Sequence, residues 1–221
     1  MQNPSATTPE VEPCAQCQKP EFLCLCSELK AFENKTPVLI LQHPREPDKL
    51  LGSARLAHLC LKNSTLKTGL SWPNLGKALG KQVNASNWGV LYLGPRKGSR
   101  QSRGSADRLK VALRNGEELL IDETLIEGIV ILDGTWAQAK ALWWRNPWLL
   151  KLKRIVLNPQ NRSLYGRLRR EPRRECLSTL EAIAETLEGL HEDPQTIQAL
   201  RTHFSTLLKR YQAAETEKKN A

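Results

Sequence analysis

Residues 129–148 read IVILDGTWAQAKALWWRNPW, and the fold class turns on them. The apolar run Ile129, Val130, Ile131 and Leu132 reads as a buried strand. Asp133 and Gly134 end it. Thr135 then opens an amphipathic helix carrying Trp136, Ala139, Leu142 and Trp143, and Arg145-Asn146-Pro147 follows. In an open α/β sheet, ligands gather at the carboxyl ends of strands, and a helix start offers free N–H groups. Asp133 therefore stands where chemistry is expected. An aspartate there also suits a helix cap, with the tryptophans filling the core. The residues alone leave both readings open.

Moving outward, residues 37–42 (PVLILQ) read as another buried strand. It ends in His43-Pro44-Arg45-Glu46-Pro47, which is either site material at a strand tip or a rigid turn with solvated charges. Residues 48–61 predict a helix through Leu51, Ala54, Arg55 and His58, weakened by Gly52, with His58 on the helix surface or half-buried and Cys60 in the core. A short strand at 64–70, a turn at Ser71-Trp72-Pro73-Asn74 and a brief helix to Leu79 come next. Residues 88–93 (WGVLYL) give a third strand, and residues 153–157 (KRIVL) a further one. Between them, residues 109–113 suit a short helix or strand, followed by a solvated acidic patch from Glu117 to Glu127. Two amphipathic helices close the chain, over 176–190 and from Asp193-Pro194 onward. Strands alternating with helices predict an α/β domain with a mostly parallel sheet flanked by helices.

The chain of 221 residues carries a net charge of +10, which favours a polyanionic partner. The charge is concentrated in two places. One is the glycine-rich loop after the third strand, with Arg96, Arg100 and Arg103. It reads as a phosphate-contacting loop or a solvated insertion. The other is the segment with Arg162, Tyr165, Arg167, Arg169, Arg170, Arg173 and Arg174. There arginines fork onto phosphates and the tyrosine offers a stacking face, unless the segment is a solvated linker. Neither a Walker loop nor a Rossmann fingerprint is present.

Four of the six cysteines lie at Cys14, Cys17, Cys24 and Cys26. Two close pairs around a short loop can set four thiolates about one ion, and structural zinc is the reading we take. Free thiols or an iron–sulfur cluster are the alternatives. Four thiolates leave no open position for catalysis by the metal. No run of about 18 apolar residues occurs, so no membrane span is expected. The first ten residues do not read as a signal peptide, and the cytoplasm is the expected compartment.

Several of these pieces, in this order, resemble the DTW-domain family. They are Cys14-x-x-Cys17-x-x-Pro20 with Cys24-x-Cys26, Gln42-His43-Pro44-x-Glu46, Asp133-Gly134-Thr135-Trp136, and the segment from Tyr165 to Arg173 followed by Leu177-Ser178-Thr179-x-Glu181-Ala182. The resemblance implies a SPOUT-like α/β fold, a class whose C-terminal half is often knotted, with a small N-terminal zinc-binding segment. It implies that the chain transfers the 3-amino-3-carboxypropyl group of S-adenosyl-L-methionine to N3 of a tRNA uridine in the variable loop, releasing 5′-methylthioadenosine. On this reading Asp133, Thr135 and Trp136 are catalytic. His43, Arg45, Glu46, Leu93, Gly94, Asp133 and Gly134 hold the donor, and the arginines named above bind tRNA with Tyr165. The implied layout is a disordered tail at 1–12, the zinc segment at 13–35, the catalytic domain at 36–212 and a flexible tail at 213–221, working as a monomer or homodimer. Two alternatives remain: a non-catalytic zinc-containing RNA-binding protein, and an RNA methyltransferase using the same S-adenosylmethionine.

Overall fold

In the computed structural model of the chain, the run at 129–132 is the centre of a strand, Gly128–Asp133, buried along its whole length. The structure describes residues 12–47, 49–91, 109–113, 117–119, 125–159, 161–166, 168 and 177–220. Their strands are β1 (Val38–Gln42), β2 (Ser64–Thr68), β3 (Trp88–Leu91), β4 (Leu109–Ala112), β5 (Glu118–Leu119), β6 (Gly128–Asp133) and β7 (Lys153–Leu157). They form one sheet in the order β2-β1-β6-β3-β7-β4-β5. The first five in that order run parallel, and β4 and β5 add an antiparallel edge. The expectation of a mostly parallel sheet holds, and the region at 109–113 forms a strand.

Alternation along the central strands builds two cores. Val38, Ile40, Ile129 and Ile131 face one side, packed with α1 (Ala54–Cys60), α4 (Thr179–Gly189) and α5 (Pro194–Asn220). Leu39, Leu41, Val130 and Leu132 face the other, covered by α2 (Leu75–Leu79) and α3 (Trp136–Arg145). Period-two alternation sends successive side chains to opposite faces, so a strand apolar on both faces must have helices on both. Glycine is required at 128, where an added Cβ would stand 2.5 Å from the ring of Trp88 on the paired strand.

Two expectations change. The helix predicted over 48–61 begins only at Ala54. Before it, the backbone steps through turns in which Glu46, Lys49 and Gly52 each donate to the carbonyl three residues earlier. The Leu50 carbonyl accepts from the ammonium of Lys19 at 2.6 Å, and the Lys49 carbonyl accepts from it as well, at 3.5 Å. α4 begins at Thr179, after a capping box between Ser178 and Glu181, rather than at Cys176, which lies outside the described residues. α5 runs from Pro194 to Asn220.

The N-terminal segment is joined to this core. Leu23 and Leu25 are buried among the α1, α4 and α5 side chains, and the Arg210 guanidinium on α5 donates to the Cys24 carbonyl and to Glu28. Among the described residues, no helix is long and apolar enough to cross a membrane.

Candidate active site

Three adjacent parallel strands end in register. Thr68 pairs with Gln42, and Gln42 with Asp133, at the last position of β2, β1 and β6. All three stand at carboxyl ends, where an open α/β sheet binds ligands. Their side chains form a directed row. The Thr68 hydroxyl donates to Gln42 Oε1 at 3.2 Å, which turns the Gln42 amide so that Nε2 donates to Asp133 Oδ2 at 2.9 Å. On the other side, the Thr179 hydroxyl donates to Asp133 Oδ1. Thr179 is the first residue of α4, so the positive end of a helix dipole lies against the carboxylate and favours its charged form. Asp133 is 6% exposed, and a carboxylate that deep persists only when hydrogen-bonded in this way.

The capping alternative for Asp133 does not describe this geometry. The N-cap of α3 is Thr135, whose hydroxyl accepts from the Gln138 amide while the Gln138 side chain accepts from the Thr135 amide. Gly134 lets this box close against β6: a Cβ there would stand 2.8 Å from Gln138 Cβ and 3.4 Å from His43 Cβ. Trp136 does not anchor α3 by burial. It is 38% exposed, and Ala139 and Leu142 are the α3 side chains that pack inward.

The turn after β1 lies beside this row. The His43 amide donates to the Asp133 carbonyl at 3.0 Å, and His43 Nδ1 accepts from the Arg45 amide at 3.2 Å. His43 is half-buried, Arg45 exposed and Glu46 buried. Lys19 joins the group from the cysteine loop. It is 5% exposed, and burial brings its ammonium down to about 8. Cys17 and Asp133 favour the charged form electrostatically, and Arg55 opposes it.

Tyr165 corrects the sequence reading. Its ring is 2% exposed and meets Phe204 edge-on at 5.1 Å, while its hydroxyl donates to the Leu51 carbonyl at 2.7 Å. It is a core residue, and its ring is too enclosed to stack on a base. The turn before it is held by Glu181, which accepts from the Ser163 hydroxyl and the Leu164 amide, both at 2.7 Å. Thus the start of α4 holds Asp133 with Thr179 and this turn with Glu181. Tyr165→Phe should lower folding stability by about 1 kcal/mol through loss of the hydrogen bond. The check is a denaturant titration, with tRNA affinity kept.

The four thiols converge. Their Sγ atoms all lie within 4.8 Å of one another, and the pairs Cys14–Cys26 and Cys17–Cys24 are each separated by 3.7 Å. A sulfur tetrahedron with arms of about 2.3 Å has edges of about 3.8 Å, so the cluster is able to chelate a metal. Gln18, in the left-handed region at φ 57°, turns the loop so that the Cys14 amide donates to the Lys19 carbonyl at 2.9 Å. Backbone amides of Cys17 and Gln16 bring the Cys14 thiol down to about 6. Burial pushes Cys17 and Cys26 up. A cation at the centre would ionise the whole set.

Arg162 is exposed. Leu93, Gly94, Arg96, Arg100, Arg103, Arg167, Arg169, Arg170, Arg173 and Arg174 lie outside the described residues. The row residues Thr68, Gln42 and Thr179, and the buried Lys19 and Glu181, received no role from the sequence. Two signals were available: Gln42 ends an expected strand, and Gln42, Thr179 and Glu181 lie within the quoted family motifs.

A family model described as the DTW domain matches residues 11–212. The chain is 30% identical over 196 residues to tRNA-uridine aminocarboxypropyltransferase 2 of Macaca fascicularis, covering 86% of this chain and 59% of that one. It is 30% identical over 200 residues to tRNA-uridine aminocarboxypropyltransferase 2 of Drosophila melanogaster, covering 89% and 73%. It is 26% identical over 201 residues to tRNA-uridine aminocarboxypropyltransferase A of Arabidopsis thaliana, covering 84% and 75%. The chain spans less than two thirds of the length of the macaque and mouse relatives, at 59% and 57%. No solved structure matches it significantly.

Proposed function

The chain belongs to the DTW-domain family, and from that premise we propose that it is a tRNA-uridine aminocarboxypropyltransferase. The reaction moves the 3-amino-3-carboxypropyl group of S-adenosylmethionine to N3 of a variable-loop uridine in tRNA. The observation that carries this reading is the buried Asp133 carboxylate at the end of β6, held between Gln42 and Thr179.

The donor set suits the group to be moved. An aminocarboxypropyl chain brings one ammonium and one carboxylate, and the strand ends offer both signs: Asp133 and Glu46 as buried carboxylates, and Arg45 as an exposed cation. His43 and Gly134 complete the same rim, with Leu93 and Gly94 assigned to it from sequence. S-adenosylmethionine supplies a carbon already activated by its sulfonium. The chain must present the γ-carbon rather than the methyl group, and it must deal with the N3 proton. Arg45 grips the donor carboxylate, which fixes the propyl arm. Asp133 either takes the N3 proton as general base or holds the donor ammonium as orienter. Gln42 and Thr179 hold its direction, and Thr135 and Trp136 open α3 beside it. As N3 bonds to the γ-carbon, the carbon–sulfur bond breaks and 5′-methylthioadenosine leaves as a neutral thioether; the N3 proton passes to Asp133 where it is the base, or directly to water where it is the orienter.

The thiolate cluster holds structural zinc on this reading. Its separations suit the ion, and its work is to fix the loop bearing Lys19. Reduced thiolates also suit the cytoplasm. Arg96, Arg100, Arg103, Arg162, Arg167, Arg169, Arg170, Arg173 and Arg174 hold tRNA phosphates. Alanine at several of these should weaken tRNA binding and lower the salt slope by about 1 for each phosphate no longer held, leaving S-adenosylmethionine binding intact. Unchanged affinity across a salt titration would return the segment to solvated surface.

Chromatography of the nucleoside by-product tests the reaction class. Incubation with tRNA and S-adenosylmethionine should release 5′-methylthioadenosine. S-adenosylhomocysteine would mean methyl transfer, and neither product would mean binding without catalysis.

A further inference from the structure

Trp144 is 71% exposed and Trp136 38%. Large aromatic faces are enriched where a partner covers them. In α3 these two tryptophans stand at the first and third positions of an i, i+4, i+8 series whose middle member is Lys140, also exposed. That spacing places all three on one ridge of the helix, about 12 Å long at 1.5 Å per residue. The ridge starts three residues after Asp133, and exposed Arg145 lies at its far end. α3 contains no acidic residue. Ala139 and Leu142 fix its opposite face to the sheet, so the ridge is rigid.

We propose that this ridge is a stacking platform for unpaired bases of the RNA substrate, leading to the site at Asp133. The inference rests on reading the chain as a tRNA-modifying enzyme. Bases offer π-faces to Trp136 and Trp144, and the phosphate between them offers an anion to Lys140, the combination that binds single-stranded nucleic acid with little sequence preference. A second copy of this chain fits the ridge poorly. A twofold interface places the same patch on both sides, setting Lys140, the middle of the ridge, against its own copy in a chain of net charge +10.

The test is tRNA affinity by fluorescence anisotropy over a salt titration, with the parent, Trp144→Ala, Trp144→Phe and Lys140→Ala. Trp144→Ala should weaken binding about tenfold with the salt slope unchanged, since an indole neutralises no phosphate. Trp144→Phe should restore most of the affinity. Lys140→Ala should lower the salt slope by about 1. Thermal midpoint and S-adenosylmethionine binding should stay at parental values for Trp144→Ala, because the side chain lies in solvent. Parental tRNA affinity in Trp144→Ala overturns the proposal. A shift from dimer to monomer on sedimentation with RNA affinity kept also overturns it, and makes the ridge a self-association face. The readout is separate from turnover. A parent protein that binds tRNA through Trp144 but transfers nothing would keep the platform and refute the transferase.

Discussion

Asp133→Asn should reduce turnover about 10²-fold or more while the protein remains folded. Asparagine keeps the shape of the side chain but loses its charge, and its amide nitrogen is a donor. Gln42 Nε2 and the Thr179 hydroxyl both donate to this carboxylate, so the asparagine Oδ1 accepts from Gln42 while its amide donates to the Thr179 hydroxyl, which must turn from donor to acceptor. Gln42 cannot simply flip, because its Oε1 already accepts from Thr68. The expected stability cost is about 1–3 kcal/mol, which thermal unfolding reads separately from rate. Each carboxylate oxygen has two lone-pair sites, so an oxygen holding one hydrogen bond can still take a proton. The two catalytic roles differ in donor affinity. A general base leaves S-adenosylmethionine binding nearly intact when neutralised, whereas an orienter of the donor ammonium loses it along with rate. Near-parental turnover at saturating donor and tRNA would reduce Asp133 to a tie between β1, β6 and α4.

Removing the metal should have the second large effect. One zinc per chain is expected in reduced protein, and stripping it, or substituting Cys24→Ser, should cost about 4 kcal/mol or more, as expected when a structural metal is removed. Unfolding begins at the N-terminal segment, which limited proteolysis would report. Leu23 and Leu25 are buried in the main core and Arg210 grips the Cys24 carbonyl, so release of the loop also loosens α5. It frees Lys19 from the Leu50 carbonyl as well, and that turn adjoins the site. Donor affinity should therefore fall too, but by less than stability. Elemental analysis finding no metal in carefully reduced protein would contradict the assignment.

The position of Asp133 was legible because the strand and its end are written locally. The apolar run, the glycine and the threonine cap lie within a few residues, and both halves of the capping box are in one turn. The row around Asp133 was not legible. Gln42 and Asp133 are 91 residues apart, and only the pairing of β1 with β6 brings them into register. Tyr165 was misread because its neighbours in sequence are arginines, whereas its partners in space are Leu51 and Phe204. The helix expected over 48–61 failed in its first turn, where Lys19, 31 residues from Leu50, takes carbonyls that a helix would have used. Local composition reports which residues are apolar, and long-range pairing decides which polar groups meet.

The central claim is that this chain places an aminocarboxypropyl group on a tRNA uridine. Mass analysis of nucleosides from unmodified tRNA, after incubation with S-adenosylmethionine and either the parent protein or Asp133→Asn, tests it most directly. We expect a uridine heavier by one 3-amino-3-carboxypropyl group with the parent, and that nucleoside reduced to a trace with Asp133→Asn over the same time. A methylated uridine, or tRNA left unaltered by well-folded, metal-loaded parent protein, would contradict the account.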